Sequence, residues 1–328
     1  MKLSIDEARS LGQAAFEAIG FSEEHARIST DHLVDAGLRG STFGSLARIL
    51  AIKERIDQHG DNRSPIRTTR ETPVSAQIDG GDNVGYVVAH HATRIAIDKA
   101  KASGIAVVGA NNTYYTGLFA YYLEMATREG LVVMAAGNGP AIVAPHGASE
   151  ARLGTNPRAF GFPSEDEPVI WDIGTCALRH GDLLLHKRTG TPLPEGTALD
   201  GEGRPTRDPD AALSGAILPW GGHKGSGLSI VVQLLGAMCG TQAITPGMRE
   251  MGFLIIVIKP DLLVDPETFR ATVSELGGAI RGAKPIDPAS PPRMPFDNSV
   301  RLRRQLLNEG IEVPDPVYEA LLRLANKN

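Results

Sequence analysis

The stretch most informative about the fold covers residues 84–110 and reads VGYVVAHHATRIAIDKAKASGIAVVGA. Its apolar residues recur at helical spacing over residues 84–102, which predicts a helix with one apolar face. Gly104 ends that pattern, because glycine readily adopts the backbone conformations that close a helix. The apolar run 105–108 then predicts a buried strand. A helix followed directly by a strand is typical of an α/β protein.

The same kind of pattern extends in both directions along the chain. Ser4 and Glu7 have capping-box spacing and predict a helix start, and Ser22 is placed to cap a second helix. Residues 59–83 are expected to hold at most short strands, and residues 111–117 a polar, aromatic loop. Further helices are predicted at about 46–56, 118–129, 228–238, 266–278, 297–309 and 315–325, strands at 131–135 and 253–258, and an ordered loop with a short hairpin at 186–210.

Composition narrows the possible classes. The chain has 328 residues and a formal net charge of −5, with 42% hydrophobic and 22% charged residues, as in a folded protein of one large or two ordinary domains. Scattered basic residues argue against a nucleic-acid partner, and no apolar run is long enough to span a bilayer. Cys176 and Cys239 are expected to be reduced thiols, and the N-terminus lacks a signal-peptide pattern, so a cytoplasmic protein is predicted.

Common catalytic patterns are missing from this sequence. The nine histidines form no His-Glu-x-x-His or His-x-His motif and the cysteines have no zinc spacing, so no metal site is predicted. Solvated or capping histidines are favoured instead. No Gly-x-Gly-x-x-Gly follows a strand, and the Gly225-Ser226-Gly227 segment lacks the spacing of a serine hydrolase elbow.

Several polar turns remain as candidate ligand sites. The segment Gly221–Gly227 precedes an apolar helix, where backbone amides, the helix dipole and Lys224 suit a phosphate or carboxylate. A flexible turn explains that segment equally well. The segment Trp171–Cys176 places Asp172 after a short strand, where an aspartate more often caps a turn than binds a ligand.

Two arginines, Arg39 and Arg48, flank a polar loop at residues 40–45. Either guanidinium could hold a carboxylate through two parallel hydrogen bonds. A surface ion pair is the ordinary role for a single arginine in such a place.

Taken together, these segments resemble the type-2 malate/L-lactate dehydrogenase family, which includes ureidoglycolate and sulfolactate dehydrogenases and ketimine reductases. The resemblance covers nearly the whole chain. The segments that carry it are Arg39–Arg48, Asn112, Arg152–Pro157, Trp171–Gly181, Pro194–Gly196 with Asp200, Pro219–Gly227 and Gly310–Ile311.

The resemblance implies an α/β fold whose nicotinamide-binding domain is not of the Rossmann type, with a largely antiparallel sheet, plus a helical domain from both ends of the chain. We expect the helical, substrate-binding domain at residues 1–75 with 285–328 and the cofactor domain at 76–284. A homodimer and an NAD or NADP cofactor are also implied. Arg48 is assigned to the substrate carboxylate. The implied cofactor contacts are Ile170, Trp171, Asp172, Ile173, Gly174, Thr175, Cys176, His223, Lys224, Asp297, Asn298 and Ser299.

The chain departs from the family at its proton donor. The family loop reads Arg-Gly-x-x-Ser-His-Gly-x-x-Arg, and its histidine protonates the substrate oxygen. Residues 39–48 contain no histidine, and Gly44 stands at that position in an ungapped alignment. A second family histidine corresponds to Thr113. The remaining candidates are the acids Asp172, His180, Tyr114 and Tyr115, and a water held by Thr42 and Ser45.

The missing histidines suggest a hypothesis about the substrate. A positioned acid typically contributes ~10²–10⁴-fold to reduction of a ketone. A protonated imine already carries positive charge and needs no strong acid nearby. We therefore expect an NAD(P)H-dependent reductase of a small 2-imino or 2-oxo acid, with a cyclic ketimine such as pyrroline-2-carboxylate or piperideine-2-carboxylate favoured.

Three alternatives stay open. The first is a malate- or lactate-type 2-hydroxy acid dehydrogenase with a substitute proton donor. The second is a catalytically inactive, metabolite-binding member, and the third a scaffold protein that binds no nicotinamide. The cations of His186-Lys187-Arg188 could accept a cofactor 2′-phosphate, although a solvated loop tip is the simpler interpretation.

Overall fold

The computed structural model describes residues 1–41, 44–245, 247 and 249–326. Its helices are α1 (Ile5–Ala18), α2 (Glu23–Leu38), α3 (Arg48–His59), α4 (Gly85–Ser103), α5 (Phe119–Thr127), α6 (His180–Thr189), α7 (Pro209–Leu213), α8 (His223–Met238), α9 (Pro266–Arg281), α10 (Asp297–Glu309) and α11 (Asp315–Ala325). Its strands are β1 (Lys2–Leu3), β2 (Arg67–Thr72), β3 (Ser75–Val84), β4 (Ile105–Tyr114), β5 (Val132–Gly137), β6 (Arg158–Phe162), β7 (Val169–Ile173), β8 (Ala198–Leu199), β9 (Pro205–Thr206), β10 (Ala216–Ile217), β11 (Met251–Ile258) and β12 (Ile311–Glu312).

A seven-stranded sheet forms the centre of the fold, in the order β2-β3-β4-β11-β5-β6-β7. All of its neighbouring pairs are antiparallel except β3 and β4, which run parallel. Helix α4 joins that parallel pair, because parallel neighbours need a long crossover connection. The predicted α/β class with a largely antiparallel sheet is confirmed.

Helices α4 and α5 cover one face of this sheet. Their apolar side chains share a core with the central strands. Phe119, the first residue of α5, meets Phe253 of β11 edge to face, with ring centroids 5.4 Å apart. This contact holds the N-terminus of α5 against the sheet, where it faces the end of β7.

A second core lies among α1, α2, α3 and α11. Strand β1 pairs with β12, which ties the two ends of the chain together. The predicted capping box of α1 is present: the Glu7 amide donates to Ser4 Oγ, and the Ser4 amide donates to the Glu7 carboxylate at 2.8 Å. The expected helical unit from both chain ends is therefore observed.

The proposed domain boundaries stay a prediction. Strand β2 lies inside the segment 1–75 that we assigned to the helical domain, and it pairs with β3 at the edge of the central sheet. In the described residues, no helix combines the length and apolar character needed to cross a membrane.

Three local predictions are wrong. Residues 75–84 form a long strand, because β3 is paired on both sides, by β2 and β4. The expected loop at 111–117 begins only after Tyr114. Strand β4 continues to that residue because its pairing with β3 shifts register between Asp79 and Asn83 and then resumes. Helix α8 begins at His223, upstream of the predicted start at Leu228.

The segment 186–210 is partly as predicted. The hairpin is present as β8 and β9, which β10 extends to a three-stranded sheet. Residues 186–189 instead complete α6, so the basic run His186-Lys187-Arg188 lies on the last turn of a helix. Lys187 there pairs with Asp210 at 2.6 Å.

Candidate active site

A cavity of about 510 Å³ opens where the edge strand β7 meets the start of α5, the loop after α2 and the start of α10. It brings together residues from distant parts of the sequence. Of the predicted cofactor contacts, those on its wall are Ile170, Trp171, Asp172, Asn298 and Ser299.

Asp172 holds the N-terminus of α5. Its Oδ2 accepts the amide hydrogen of Ala120 at 2.9 Å, and the Phe119 amide also donates to this carboxylate. These amides are among those that an α-helix leaves without internal partners. Burial nevertheless raises the pKa of Asp172 to about 6, although the two amides oppose the shift. The carboxylate therefore changes charge close to neutral pH.

His32 holds the backbone amide of Leu118, the residue directly before α5. Its Nε2 accepts from the Leu118 amide at 3.0 Å, so its proton is on Nδ1, which has no hydrogen-bond partner among the described residues. Burial lowers the pKa of His32 to about 3, which keeps the ring neutral. Gly117 must be glycine here: its φ is 71°, and an added Cβ would lie 2.2 Å from His32 Nε2.

Sequence reasoning gave His32 no individual role. It lies on the buried face of α2, where the sequence shows only a polar residue among apolar ones. The general expectation of capping histidines covers its function, but nothing in the sequence pairs it with Leu118. The partner becomes visible only when α2 and α5 pack side by side.

Arg39 is buried in an ion cluster between α2, α5 and α10. Its guanidinium donates to Asp35 and to Glu124, each at 2.6 Å. Arg303 from α10 joins the same two carboxylates, with 2.9 Å to Glu124. Although burial alone would raise the pKa of Glu124, Arg39 and Arg303 hold it below its ordinary value. Arg39 therefore anchors the loop with its charge matched by Asp35 and Glu124, and it also lines the cavity.

Arg48, at the other end of the loop, has different neighbours. Its Cζ lies 4.9 Å from the ring centroid of Tyr115. Burial and then the positive charge of Arg48 lower the pKa of His180. Arg179, next in the chain to His180, lines the cavity. Arg48 and Tyr115 thus lie together, and the cavity itself is lined by Arg179 and by neither of them.

The other predicted catalytic residues are not brought to this place. Thr113 is fully buried, and its hydroxyl donates to the carbonyl of Asn83 at 2.6 Å. Ser45 is also buried, with its hydroxyl against Gly37 of α2. Thr42 lies outside the described residues.

The start of α10 contributes unequally to the cavity. Asn298 and Ser299 line it, and Arg39 Nη1 donates to Ser299 Oγ at 3.3 Å. Asp297 instead accepts two hydrogen bonds from Arg281, at 2.7 and 2.9 Å, and one from the amide of Met294. Its charge is therefore used within the protein.

The end of β7 leads from this cavity to the start of α8. Trp220 connects the two, because its amide donates to the Thr175 carbonyl and its Nε1 donates to the Gly174 carbonyl at 3.0 Å. Gly225 packs so tightly here that an added Cβ would lie 2.2 Å from the Trp220 carbonyl oxygen. The backbones of Cys176 and Pro219 form an isolated antiparallel β-bridge. The Cys176 thiol is buried and takes no part in a disulfide.

The predicted contacts His223 and Lys224 lie on the first turn of α8, and both are exposed. Among the described residues, no side chain caps this helix. An uncapped helix start with a neighbouring lysine is chemically suited to a phosphate group. Ile173 faces the opposite side of the sheet from Asp172, because successive strand residues alternate.

These features fit the donor set that a dinucleotide requires. Trp171 and Ile170 offer apolar surface, Asn298 and Ser299 offer hydrogen bonds, and the α8 start offers a positive end for phosphates. In the described residues no group of three or more potential metal-ligating side chains comes together.

Comparison with known proteins identifies the family. The family model described as malate/L-lactate dehydrogenase matches residues 3–322. The chain belongs to this family. It is 35% identical to the L-sulfolactate dehydrogenase of Methanothermobacter thermautotrophicus over 100% of this chain and 97% of that protein. It is 31% identical to the Delta(1)-pyrroline-2-carboxylate/Delta(1)-piperideine-2-carboxylate reductase of Pseudomonas putida over 99% of this chain and 97% of that one.

A solved structure agrees over the full length of the chain. Sulfolactate dehydrogenase from Methanocaldococcus jannaschii superposes with a TM-score of 0.90 at 31% identity, covering 100% of this chain and 97% of that one. Membership in the malate/L-lactate dehydrogenase family confirms the predicted class, an NAD(P)-dependent oxidoreductase.

Proposed function

We propose that this protein reversibly reduces a small 2-oxo acid to the 2-hydroxy acid with a nicotinamide cofactor. The observation that carries the proposal is the position of Arg48. Its guanidinium lies over Tyr115, and its charge acts on His180, whose chain neighbour Arg179 lines the cavity together with Asp172 and Asn298. An arginine fixes a carboxylate in one orientation, which leaves the adjacent carbonyl carbon in a defined place.

The protein residues have separable roles in this proposal. When bound, the reduced nicotinamide supplies a hydride to the substrate carbon. Residues of β7 and the α10 start would hold the dinucleotide, and the α8 start would hold its phosphates. Asp172 keeps the α5 N-terminus against the cavity wall, because its carboxylate accepts the Ala120 amide. Arg48 binds and orients the substrate carboxylate.

The geometry changes the ranking of substrates reached from the sequence. The imine was favoured because the loop lacks a histidine to protonate an oxygen. Tyr115 lies against Arg48, so a group able to exchange a proton is close to the place assigned to the substrate. The 2-oxo acid therefore becomes the first candidate. Sulfolactate and malate, after which two of the relatives are named, are 2-hydroxy acids, the products of such a reduction.

A cyclic 2-imino acid is the second candidate. It is favoured by the likeness to the pyrroline-2-carboxylate reductase and by the absence of histidine from residues 39–48. It also carries a carboxylate for Arg48. The two substrates differ in whether an oxygen must be protonated, and kinetics can separate them.

A substrate panel tests the proposal. Purified protein is assayed with NADH and with NADPH against pyruvate, oxaloacetate, sulfopyruvate and pyrroline-2-carboxylate. We expect turnover of at least one oxo acid. Turnover of the imine alone would contradict the first candidate. Cofactor binding, measured by fluorescence titration, without turnover of any compound would favour an inactive binding protein.

We also propose that the chain forms a homodimer through α8. The exposed side of this helix carries an apolar stripe, with Ile230, Val231, Leu234 and Met238 between 46% and 65% exposed. Such a surface on a soluble helix marks an interaction site.

Sedimentation tests this dimer. The Leu234→Glu variant should be a monomer with little loss of folding stability, while Leu263→Glu, at another exposed apolar site, should leave the dimer intact. A wild-type monomer would contradict the proposal.

A further inference from the structure

Tyr115 has an unusual backbone conformation. Its φ is 52°, in the left-handed region that bulky residues rarely adopt. The residue directly follows the last residue of β4, so the chain leaves the strand through a strained turn. Strain of this kind persists only where the surrounding structure holds it, and it concentrates at functional sites.

The strained turn sends two consecutive tyrosines in different directions. Tyr114 is fully buried in the helical core, with Arg55 Cζ 3.6 Å from its ring centroid. Tyr115 turns out to a half-buried place under Arg48, with its ring edge-on to Tyr114 at 5.6 Å between centroids. Two successive residues of a regular strand would also point to opposite faces. Tyr115, however, follows the last paired residue of β4, so the turn sets the direction of its side chain.

We infer that Tyr115 is the acid–base residue of the reaction, exchanging a proton with the substrate oxygen beside the carboxylate held by Arg48. The inference rests on the proposed function. In reduction, hydride from the nicotinamide forms the new C–H bond at C2, and the C=O π electrons move to oxygen. That oxygen takes the phenolic proton of Tyr115 to form the hydroxyl. The phenolate then regains a proton from solvent, and oxidation runs the same steps in reverse.

Two other candidate acids, His180 and Asp172, are less suited to giving a proton. His180 is kept neutral at pH 7, because burial and Arg48 disfavour its charged form. Asp172 is largely ionised above pH 6, and its carboxylate is occupied by the amides of α5. A phenol hydroxyl has one proton to donate, and its oxygen can accept one in return. The guanidinium of Arg48 is adjacent to balance the negative charge when that proton leaves.

The test compares Tyr115→Phe with Tyr114→Phe, which removes the same hydroxyl from the neighbouring, core-facing ring. Rates are measured in single turnovers with saturating cofactor and an accepted oxo acid, in H₂O and D₂O. We expect Tyr115→Phe to lower the hydride-transfer rate ~10²-fold or more and to abolish the solvent isotope effect, with unchanged cofactor affinity. Tyr114→Phe should keep rate and isotope effect. Tyr115→His should recover part of the rate, because it restores a group that exchanges protons.

The outcomes separate this inference from the proposed function. A wild-type protein that reduces an oxo acid while Tyr115→Phe stays within about threefold of it, with the same isotope effect, overturns the role of Tyr115 alone. If the denaturation midpoint shows that Tyr115→Phe is unfolded, the Tyr115→His variant decides the question. A Tyr115→His rate no higher than the background rate in buffer overturns the inference. A wild-type protein that reduces only imines overturns both.

Discussion

The two arginines at the ends of the polar loop have the same chemistry and opposite surroundings. Arg39 has a side chain only 3% exposed, lies 2.6 Å from each of two carboxylates, and packs over the Phe296 ring at 4.7 Å. Arg48 is half-buried, and its Cζ lies 4.9 Å from the centroid of the Tyr115 ring. The comparison shows that two arginines of one motif have different neighbours, and we propose that this difference separates an arginine that stabilises the fold from one that binds a ligand.

The difference follows from how burial acts on charge. A buried guanidinium must be matched by carboxylates, because an unmatched charge loses several kcal/mol of hydration. Arg39 obtains that match from α2 and α5 and so joins elements of the helical layer to the sheet layer. Arg48 is half-buried against Tyr115, and in our proposal a substrate carboxylate approaches it there. The predictions below separate the two roles, beginning with the largest effect.

Replacing Arg39 should mainly destabilise the protein. Arg39→Met leaves Asp35 and Glu124 buried with one cation fewer, and breaking a buried pair typically costs about 3–5 kcal/mol. We expect the free energy of unfolding, measured by urea denaturation, to fall by about 3 kcal/mol or more. Arg9→Met is the matched control, because Arg9 pairs with Asp31 on the surface and should cost less than about 1 kcal/mol. Equal losses for the two variants would contradict the assignment.

Replacing Arg48 should mainly lower activity. Arg48→Lys keeps the positive charge but removes the planar pair of donors that orients a carboxylate. We expect kcat/KM for a 2-oxo acid to fall about 10²-fold or more, equivalent to ~3 kcal/mol. The free energy of unfolding should change by less than about 1 kcal/mol. A stability loss as large as that of Arg39→Met would remove the contrast between the two residues.

Asp172 gives a smaller, pH-dependent effect. Its pKa of about 6 lies above the usual aspartate value of 3.8, so between these values the folded protein binds more protons than the unfolded chain. Folding stability should therefore fall as pH rises from about 4 to 6. In Asp172→Asn, which keeps an oxygen to accept the Ala120 amide, this part of the slope should vanish in denaturation curves recorded across that range. An unchanged slope would contradict the buried, titrating carboxylate.

Much of the fold could be predicted from local pattern. The helix at 297–309, the one at 315–325 and the capping box at Ser4 appear as expected, because caps and apolar spacing act within a few residues. The long strand β3 could not be predicted, because its polar sequence SAQIDGGDNV is stabilised by partners on both sides. Pairing between distant segments has no signal in the local sequence.

The candidate site was predictable in part. Motif position led to Asp172, Asn298 and Ser299, which share one cavity. It also led to Thr113, whose buried hydroxyl donates a hydrogen bond to the backbone carbonyl of Asn83. The opposite roles of Arg39 and Arg48 were out of reach, because they depend on carboxylates from α2 and α5 that meet only in three dimensions.

The central claim is that Arg48 directs the carboxylate of a small 2-oxo acid to the cofactor. The most direct test compares the rate of reduced-cofactor consumption with each accepted 2-oxo acid and with its methyl ester, which keeps the carbonyl and lacks the charge. We predict rapid consumption with the acid, a loss of ~10²-fold or more with the ester, and near-equal slow rates for both in Arg48→Lys. Equal turnover of acid and ester by the wild-type protein would contradict the account.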